Sequence, residues 1–214
     1  LPTPADAVAN GVTVIHGATL RAQGVTHVFE ALRTVPGFAV AQTGSFGGLT
    51  SGFLRGGESD YVRVLVDGVP INQPGGLMDL ANLSTDNVDR IEIVRGPTSV
   101  LYGSDAATGV IQIFTRRGTG PAGGSVSARS GTYRTTALDA SVFGGSEALG
   151  FSFGASSFTS DGAYAFNNAY RNATASGLLR ARPDRRTDAQ LTVRYNDSRF
   201  EIPTDFAGQV TDSN

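Results

Sequence analysis

Cysteine is absent from this chain, and histidine is nearly so, with two in 214 residues. These scarcities remove the thiol nucleophile and most routes to a zinc site. Charged residues make up only 17% of the chain, and the net charge of −2 provides no basic surface for nucleic acid. His16 and His27 have no carboxylate or nucleophile at a catalytic spacing. The sequence therefore indicates no enzyme, no cofactor and no nucleic-acid partner.

Long hydrophobic runs are missing as well. No stretch approaches the ~18 consecutive apolar residues that a membrane-spanning helix needs. A membrane protein built from strands stays open, because such strands show only short alternating segments. Glycine, in contrast, is abundant at 28 residues, nearly twice the usual share of ~7%. That abundance indicates tight turns and strands rather than long helices.

The region before residues 118–124 mixes one helical pattern with short strands. Val28, Leu32 and Val35 fall on one face of a helix, which Thr26 can cap and Pro36-Gly37 can end. These features predict a small α+β domain. Its strands are predicted at Tyr61–Val66, Arg90–Val94 and Val110–Phe114, with Asp67-Gly68 as a hairpin turn and a further turn at Gly96-Pro97.

After residue 124 the pattern changes to alternation of apolar and polar residues, with Leu178 as an exception. Five segments start near Ser125, Thr136, Leu149, Arg171 and Thr187, each close to the ~9–11 residues of a tilted membrane-spanning strand. A soluble antiparallel sheet with one wet face has the same alternation. Aromatic residues near the segment ends favour the membrane interpretation, because they resemble an interfacial girdle: Tyr133, Phe158, Tyr164, Tyr170 and Tyr195.

Three stretches carry a family resemblance. They are EALRTVPGF (Glu30–Phe38), FLRGGESDYVRVLVDGVPIN (Phe53–Asn72) and VDRIEIVRGPTSVLYGSDAATGVIQIFTRR (Val88–Arg117). In this order and spacing they resemble the plug domain of TonB-dependent outer-membrane receptors, nearest to the vitamin B12 and catecholate-siderophore types. The resemblance implies an α+β plug domain over residues 1–120. Residues 121–214 would then form the first about five antiparallel strands of a transmembrane β-barrel that needs ~22 and is incomplete in this chain.

The resemblance also implies a function. It implies an outer-membrane receptor and transporter for energy-coupled uptake of a bulky nutrient, such as a ferric siderophore or a corrinoid (cobalamin). The expected partners are the nutrient, outer-membrane lipid and the TonB complex, which would act through an N-terminal peptide that we expect to precede this chain. The alternative, from a different class, is a plug-bearing fragment that serves as a structural or binding subunit of a larger assembly without transport.

Several residues have expected roles. Arg55 and Arg95 match the plug arginines that, in the family, pair with glutamates on the barrel wall. Losing one partner of such a buried pair costs about 3–5 kcal/mol. Phe46, Asn72 and Gln73 are expected ligand contacts, because an aromatic face with amides suits a large, partly polar ligand. The expected turn residues are Pro97 and six glycines, which would supply positive φ or close backbone approach: Gly56, Gly57, Gly68, Gly96, Gly103 and Gly109.

Acidic residues near the end of the chain leave one metal hypothesis open. Asp197, Glu201, Asp205 and Asp212 could hold calcium through carboxylate oxygens. They lack the spacing of a known calcium loop, so a solvated loop is the favoured interpretation. We therefore predict neither a metal site nor a catalytic residue.

Overall fold

A computed structural model describes residues 11–184, 186–204 and 208–211. The chain divides into two compact units. The first comprises residues up to Ala41 together with Thr50–Arg116, and the second comprises Gln42–Leu49 together with the residues from Arg117 onward. In the described part of the chain, no helix is long and apolar enough to cross a membrane.

The first unit consists of short helices and strands. The helices are α1 Gly17–Ala22, α2 Val28–Leu32 and α3 Ser99–Tyr102, with single 3-10 turns at Ser59–Tyr61 and Ser104–Ala106. The strands are β1 Gly11–His16, β2 Phe38–Gln42, β3 Thr50–Leu54, β4 Val62–Val66, β5 Val69–Pro70, β6 Val88–Arg95 and β7 Gly109–Thr115.

Five of these strands form a mixed sheet in the order β1–β6–β7–β4–β5, while β2 and β3 pair separately. β6 is antiparallel to both β1 and β7, and β7 is parallel to β4. Register places Ile91 opposite Ile113 and Ile93 opposite Ile111, and all four are buried in one core cluster. Each such side chain stabilises the fold by about 1.5–3 kcal/mol. The α+β class predicted from these alternating runs is confirmed.

Helix α2 begins differently from the prediction. Thr26 is not its cap, because the N-cap is His27. The backbone N–H groups of Thr26 and His27 both donate to Oε2 of Glu30, at 3.0 and 3.1 Å. The helix ends at Leu32, and Val35 is buried beyond it. A glutamate in the first turn therefore accepts the backbone N–H groups just before the helix, which is the half of a capping box that the N3 residue provides.

The hairpin between β4 and β5 turns at Asp67-Gly68, where φ is 50° and 85°. Two consecutive positive φ values are what a type I′ turn requires, and the Asp-Gly pair provides them at low cost. Asp67 has a second role, because its carboxylate accepts hydrogen bonds from the backbone N–H and the hydroxyl of Thr115, at 2.9 and 2.7 Å. This turn is thereby tied to the end of β7.

The second unit is a five-stranded antiparallel sheet in simple meander order. Its strands are β8 Gly120–Ser130, β9 Thr136–Gly145, β10 Leu149–Ser160, β11 Tyr170–Ala181 and β12 Ala189–Phe200. The predicted starts at Thr136 and Leu149 are those of β9 and β10. β8 begins five residues before Ser125, β11 one before Arg171 and β12 two after Thr187. The antiparallel strands of a partial barrel are confirmed.

Burial on this sheet is inverted relative to a soluble protein. On β11 the polar residues Asn172, Thr174 and Ser176 are buried, whereas the alternate residues Ala173 and Ala175 are exposed. The exposed face of the sheet also carries large apolar side chains. These are Val126, Leu138, Val142, Leu149, Phe153, Leu179, Leu191, Val193 and Tyr195. A strand face that is apolar and uncovered is typical of membrane barrels and argues against the soluble-sheet alternative.

Candidate functional site

Arg55 lies in the turn that follows β3. Its φ is 52°, in the left-handed region that non-glycine residues rarely adopt, and Gly56 follows at 74°. The backbone N–H of Arg55 donates to the carbonyl of Gly37 at 2.8 Å. Its side chain is left exposed. The turn thus fixes the backbone of Arg55 while its guanidinium stays available to a partner.

Arg95 is the last residue of β6, and its side chain reaches the turn that Arg55 also contacts. Its Nη1 donates to the carbonyl of Pro36 at 3.1 Å, and its Nε donates to that of Gly11 at 3.3 Å. The two arginines, forty residues apart in sequence, therefore both contact the Pro36–Gly37 turn. No carboxylate of the described residues forms an ion pair with either of them. Their pairing with glutamates of a barrel wall stays a prediction.

The segment after Arg95 folds back on itself. Gly96 has φ 132° and donates its N–H to Thr108 at 2.8 Å. Thr98, one residue beyond the exposed Pro97, is buried and donates both its N–H and its hydroxyl to the carbonyl of Ala106, at 3.1 and 3.2 Å. The loop is therefore closed at its base by backbone hydrogen bonds.

Glycines of this unit act in two different ways. Gly103 has φ 90° with open space around it, so conformation alone favours glycine there. Gly57 and Gly109 have ordinary φ but no room for a side chain. A Cβ at Gly57 would lie 2.2 Å from Cγ2 of Thr108, and one at Gly109 would lie 2.3 Å from the carbonyl oxygen of Val94.

Asn72 holds its own loop in place. Its Oδ1 accepts the N–H of Val64 at 2.7 Å, and its Nδ2 donates to the carbonyls of Val62 and Gly76, at 2.9 and 2.7 Å. The side-chain amide therefore continues the hydrogen bonding of β4 beyond the hairpin. A ligand contact by this amide would compete with these bonds. Gln73, the next residue, is exposed, and its side-chain amide forms no hydrogen bond with any other described residue.

Phe46 belongs to segment Gln42–Leu49, which groups with the second unit. Its ring lies 4.9 Å from that of Phe158, which lies 5.8 Å from the ring of Tyr170. These aromatic residues form a cluster with Ala137 and Phe200. Phe46 is half-buried, so one part of the ring packs and the rest stays available for the expected ligand contact.

The residues beside Phe46 fix this segment further. A Cβ at Gly47 would lie 2.2 Å from Cδ2 of Tyr170, so the backbone rests directly on the tyrosine ring. Ser45 donates its hydroxyl to Oδ1 of Asn168 at 2.9 Å. The partners of Ser45 and Phe46 are more than a hundred residues away in sequence. Contacts between residues so far apart cannot be predicted from alternation or from local motifs.

The calcium hypothesis finds no support in the described residues. They contain no group of three acidic or histidine side chains that could hold a metal ion. Asp197 and Glu201 belong to the described part, while Asp205 and Asp212 lie outside it.

Comparisons with solved structures recover the fold over nearly the whole chain. The siderophore receptor PirA from Pseudomonas aeruginosa is 27% identical with a TM-score of 0.68, over 89% of this chain and 34% of that one. The ferric yersiniabactin uptake receptor FyuA from Yersinia pestis is 22% identical with a TM-score of 0.73, over 91% and 32%. The ferripyoverdine receptor of the Pseudomonas aeruginosa outer membrane is 18% identical with a TM-score of 0.75, over 100% and 29%.

The chain thus spans about a third of the length of the solved structures it matches. A family model described as TonB-dependent Receptor Plug Domain matches residues 4–110, which is half of the 214 residues. Members of this family are proteins of the bacterial outer membrane. The chain therefore belongs to the TonB-dependent receptor family, and its location is the outer membrane.

Proposed function

We propose that this chain is the plug and first strands of a receptor that imports a bulky nutrient across the outer membrane. The observation that carries the proposal is the inverted burial of the second unit, directly following a plug-family unit in the chain. A sheet with an uncovered apolar face needs lipid, and a polar face on the other side suits a water-filled lumen. A plug-family unit followed in the chain by such strands supports a receptor whose lumen the plug would close.

A ferric siderophore is the ligand that we favour. All three relatives described above are named as siderophore receptors or for a ferric siderophore. Phe46 in the second unit offers an aromatic face, and Gln73 in the first unit offers an exposed amide. Each group by itself suits one part of a large chelate that has both apolar and polar parts. A corrinoid has a similar size and mixed polarity, and it is the second ligand to be tested.

The proposal includes energy coupling through the TonB complex. Opening a plugged lumen requires rearrangement of the plug, and the outer membrane has no energy source of its own. Arg55 and Arg95 would then serve as the lock, because guanidinium binds carboxylate in a bidentate way and stays charged. Their joint position at the Pro36–Gly37 turn supports this role, since one movement of that turn would disturb both.

A growth assay tests the ligand. The full-length receptor would be expressed in a bacterial strain that lacks its own siderophore and vitamin B12 receptors. We expect growth on a ferric catecholate as sole iron source, and no rescue of a vitamin B12 requirement. Rescue by cyanocobalamin alone would identify the transported ligand as a corrinoid and not a siderophore. Failure with every ferric chelate and with cyanocobalamin would contradict nutrient uptake.

A further inference from the structure

The exposed apolar face of the five-stranded sheet ends in one polar row. The pairing register aligns one residue from each strand: Ser130, Thr136, Thr159, Arg171 and Arg199. Two rows away on the same face, the aligned residues are Val126, Ala140, Ala155, Ala175 and Tyr195. The row between these two holds Ala128, Leu138, Ser157, Ala173 and Asp197, so hydrogen-bond donors lie within two rows of a surface that suits acyl chains.

Arg171 and Arg199 are direct cross-strand partners in this row. Side chains in such positions have Cβ atoms about 4.5–5.5 Å apart, and like charges there repel each other. The nearest described carboxylate is that of Glu201, 3.7 Å from Nη2 of Arg199. Arg171 forms no ion pair with any described residue, although the exposed Asp197 lies on the next row. The repulsion between the arginines is therefore only partly compensated within the described chain.

The opposite end of the same two strands is built differently. There Nε and Nη2 of Arg180 donate to the two carboxylate oxygens of Asp188, at 2.9 and 2.6 Å. Arg182 donates to the same carboxylate at 2.5 Å. These hydrogen bonds hold the pKa of Asp188 below its ordinary value. A two-arginine cluster at that end has its own bidentate anion, and the cluster of Arg171 and Arg199 does not.

The two arginines line an open pocket of about 100 Å³ together with Ala169 and Glu201. The side chains that line the pocket have a net charge of +1, and Asp197 on the adjacent row is not part of the lining. We propose that this pocket binds the phosphate group of a membrane lipid whose acyl chains lie on the adjacent apolar face. Two guanidinium forks can each bind two phosphate oxygens, and a phosphate between them relieves their repulsion. The continuity of the pocket with the apolar face favours a lipid over free phosphate.

Native mass spectrometry of the detergent-solubilised full-length receptor tests this site. The probes are dioleoyl phosphatidic acid, dioleoylglycerol with the same chains but no phosphate, and inorganic phosphate as a competitor. We expect Arg171→Gln with Arg199→Gln to weaken phosphatidic acid binding about thirtyfold, which corresponds to about 1 kcal/mol per arginine. Arg171→Lys with Arg199→Lys keeps both positive charges but loses the bidentate guanidinium groups. The affinity of this variant for phosphatidic acid should fall between that of the natural receptor and that of the Gln/Gln variant.

Arg134→Gln is the matched control. Arg134 is an exposed arginine of the β8–β9 turn that pairs with Asp161, so its loss should leave phosphatidic acid binding unchanged. Equal binding of phosphatidic acid by the Gln/Gln variant and the natural receptor would overturn the proposal. Equal binding of dioleoylglycerol and phosphatidic acid by the natural receptor would do the same. Inorganic phosphate that displaced phosphatidic acid with an affinity equal to that of the lipid would also overturn the proposal, because the pocket would then be a site for free phosphate. Nutrient uptake should persist in the Gln/Gln variant, because this inference concerns the lipid and not the transported ligand.

Discussion

A side chain can serve the fold where the sequence indicated ligand binding. Asn72 shows this most clearly, because an amide in a Gly-rich loop has the same appearance whether it binds a ligand or its own backbone. Its acceptors and donors lie 4 to 10 residues away and meet it only when the hairpin forms. Asp67 adds a similar bond across 48 residues. The Asp-Gly turn itself was predictable, because its signal is local.

Replacing Asn72 by alanine tests whether this side chain stabilises the fold or binds the ligand. The change leaves the buried N–H of Val64 without its acceptor, so we expect a loss of about 1–3 kcal/mol in the free energy of unfolding. Gln73→Ala removes an exposed amide and should leave stability unchanged while it weakens ligand affinity. Chemical unfolding and ligand titration of the full-length receptor measure both quantities. Equal stability of the two variants would contradict the structural role of Asn72.

At the scale of elements, the alternation of apolar and polar residues predicted the strands of the second unit and which of their residues share a face. It placed the starts of β9 and β10 correctly, since Thr136 and Leu149 follow clear turns. It missed the first residues of β8, because Gly120, Gly123 and Gly124 interrupt the alternation. In the first unit, α1 and β1 went unpredicted, because α1 has no side-chain N-cap and β1 is an edge strand whose partner is β6. Short elements depend on tertiary packing more than on local propensity.

Neighbouring residues of β8 test which face of the sheet meets lipid. Val126 is 85% exposed, so Val126→Arg would cost little if that face were in water. Facing lipid near mid-bilayer, the arginine should cost about 2–4 kcal/mol. Ser127→Arg, on the other face, places the new cation beside Asp139 and should be tolerated.

Urea unfolding of the full-length receptor in lipid vesicles measures the difference between these variants. Equal stability of Val126→Arg and Ser127→Arg would support the soluble-sheet alternative and remove the lipid-facing role of this surface.

At the scale of the whole molecule, the lock hypothesis concerns how the plug is retained. Replacing Arg55 and Arg95 together by alanine should loosen the plug, because each lost buried pair costs about 3–5 kcal/mol. The expected result is greater sensitivity of the cells to large antibiotics that do not normally pass the outer membrane. Arg33→Ala, at another exposed arginine of the first unit, is the control and should leave sensitivity unchanged. An unaltered antibiotic response in the double variant would exclude both arginines from the lock.

The family followed from sequence motifs, whereas the ligand did not. Motifs such as Val88–Arg117 combine strands and turns whose geometry depends on neighbouring residues, so these motifs can be recognised from the sequence alone. Ligand contacts come from loops such as Gln42–Leu49, whose position depends on Tyr170 and Phe158 far along the chain. Substrate identity therefore needs measurement.

Energy-dependent uptake tests the central claim most directly. Cells that express the full-length receptor would be given a radiolabelled ferric siderophore that supports growth, with and without a proton uncoupler. We expect both samples to bind the label at the surface, and only energised cells to accumulate it beyond one ligand per receptor. Accumulation that is equal with and without the uncoupler would contradict energy-coupled transport by this protein.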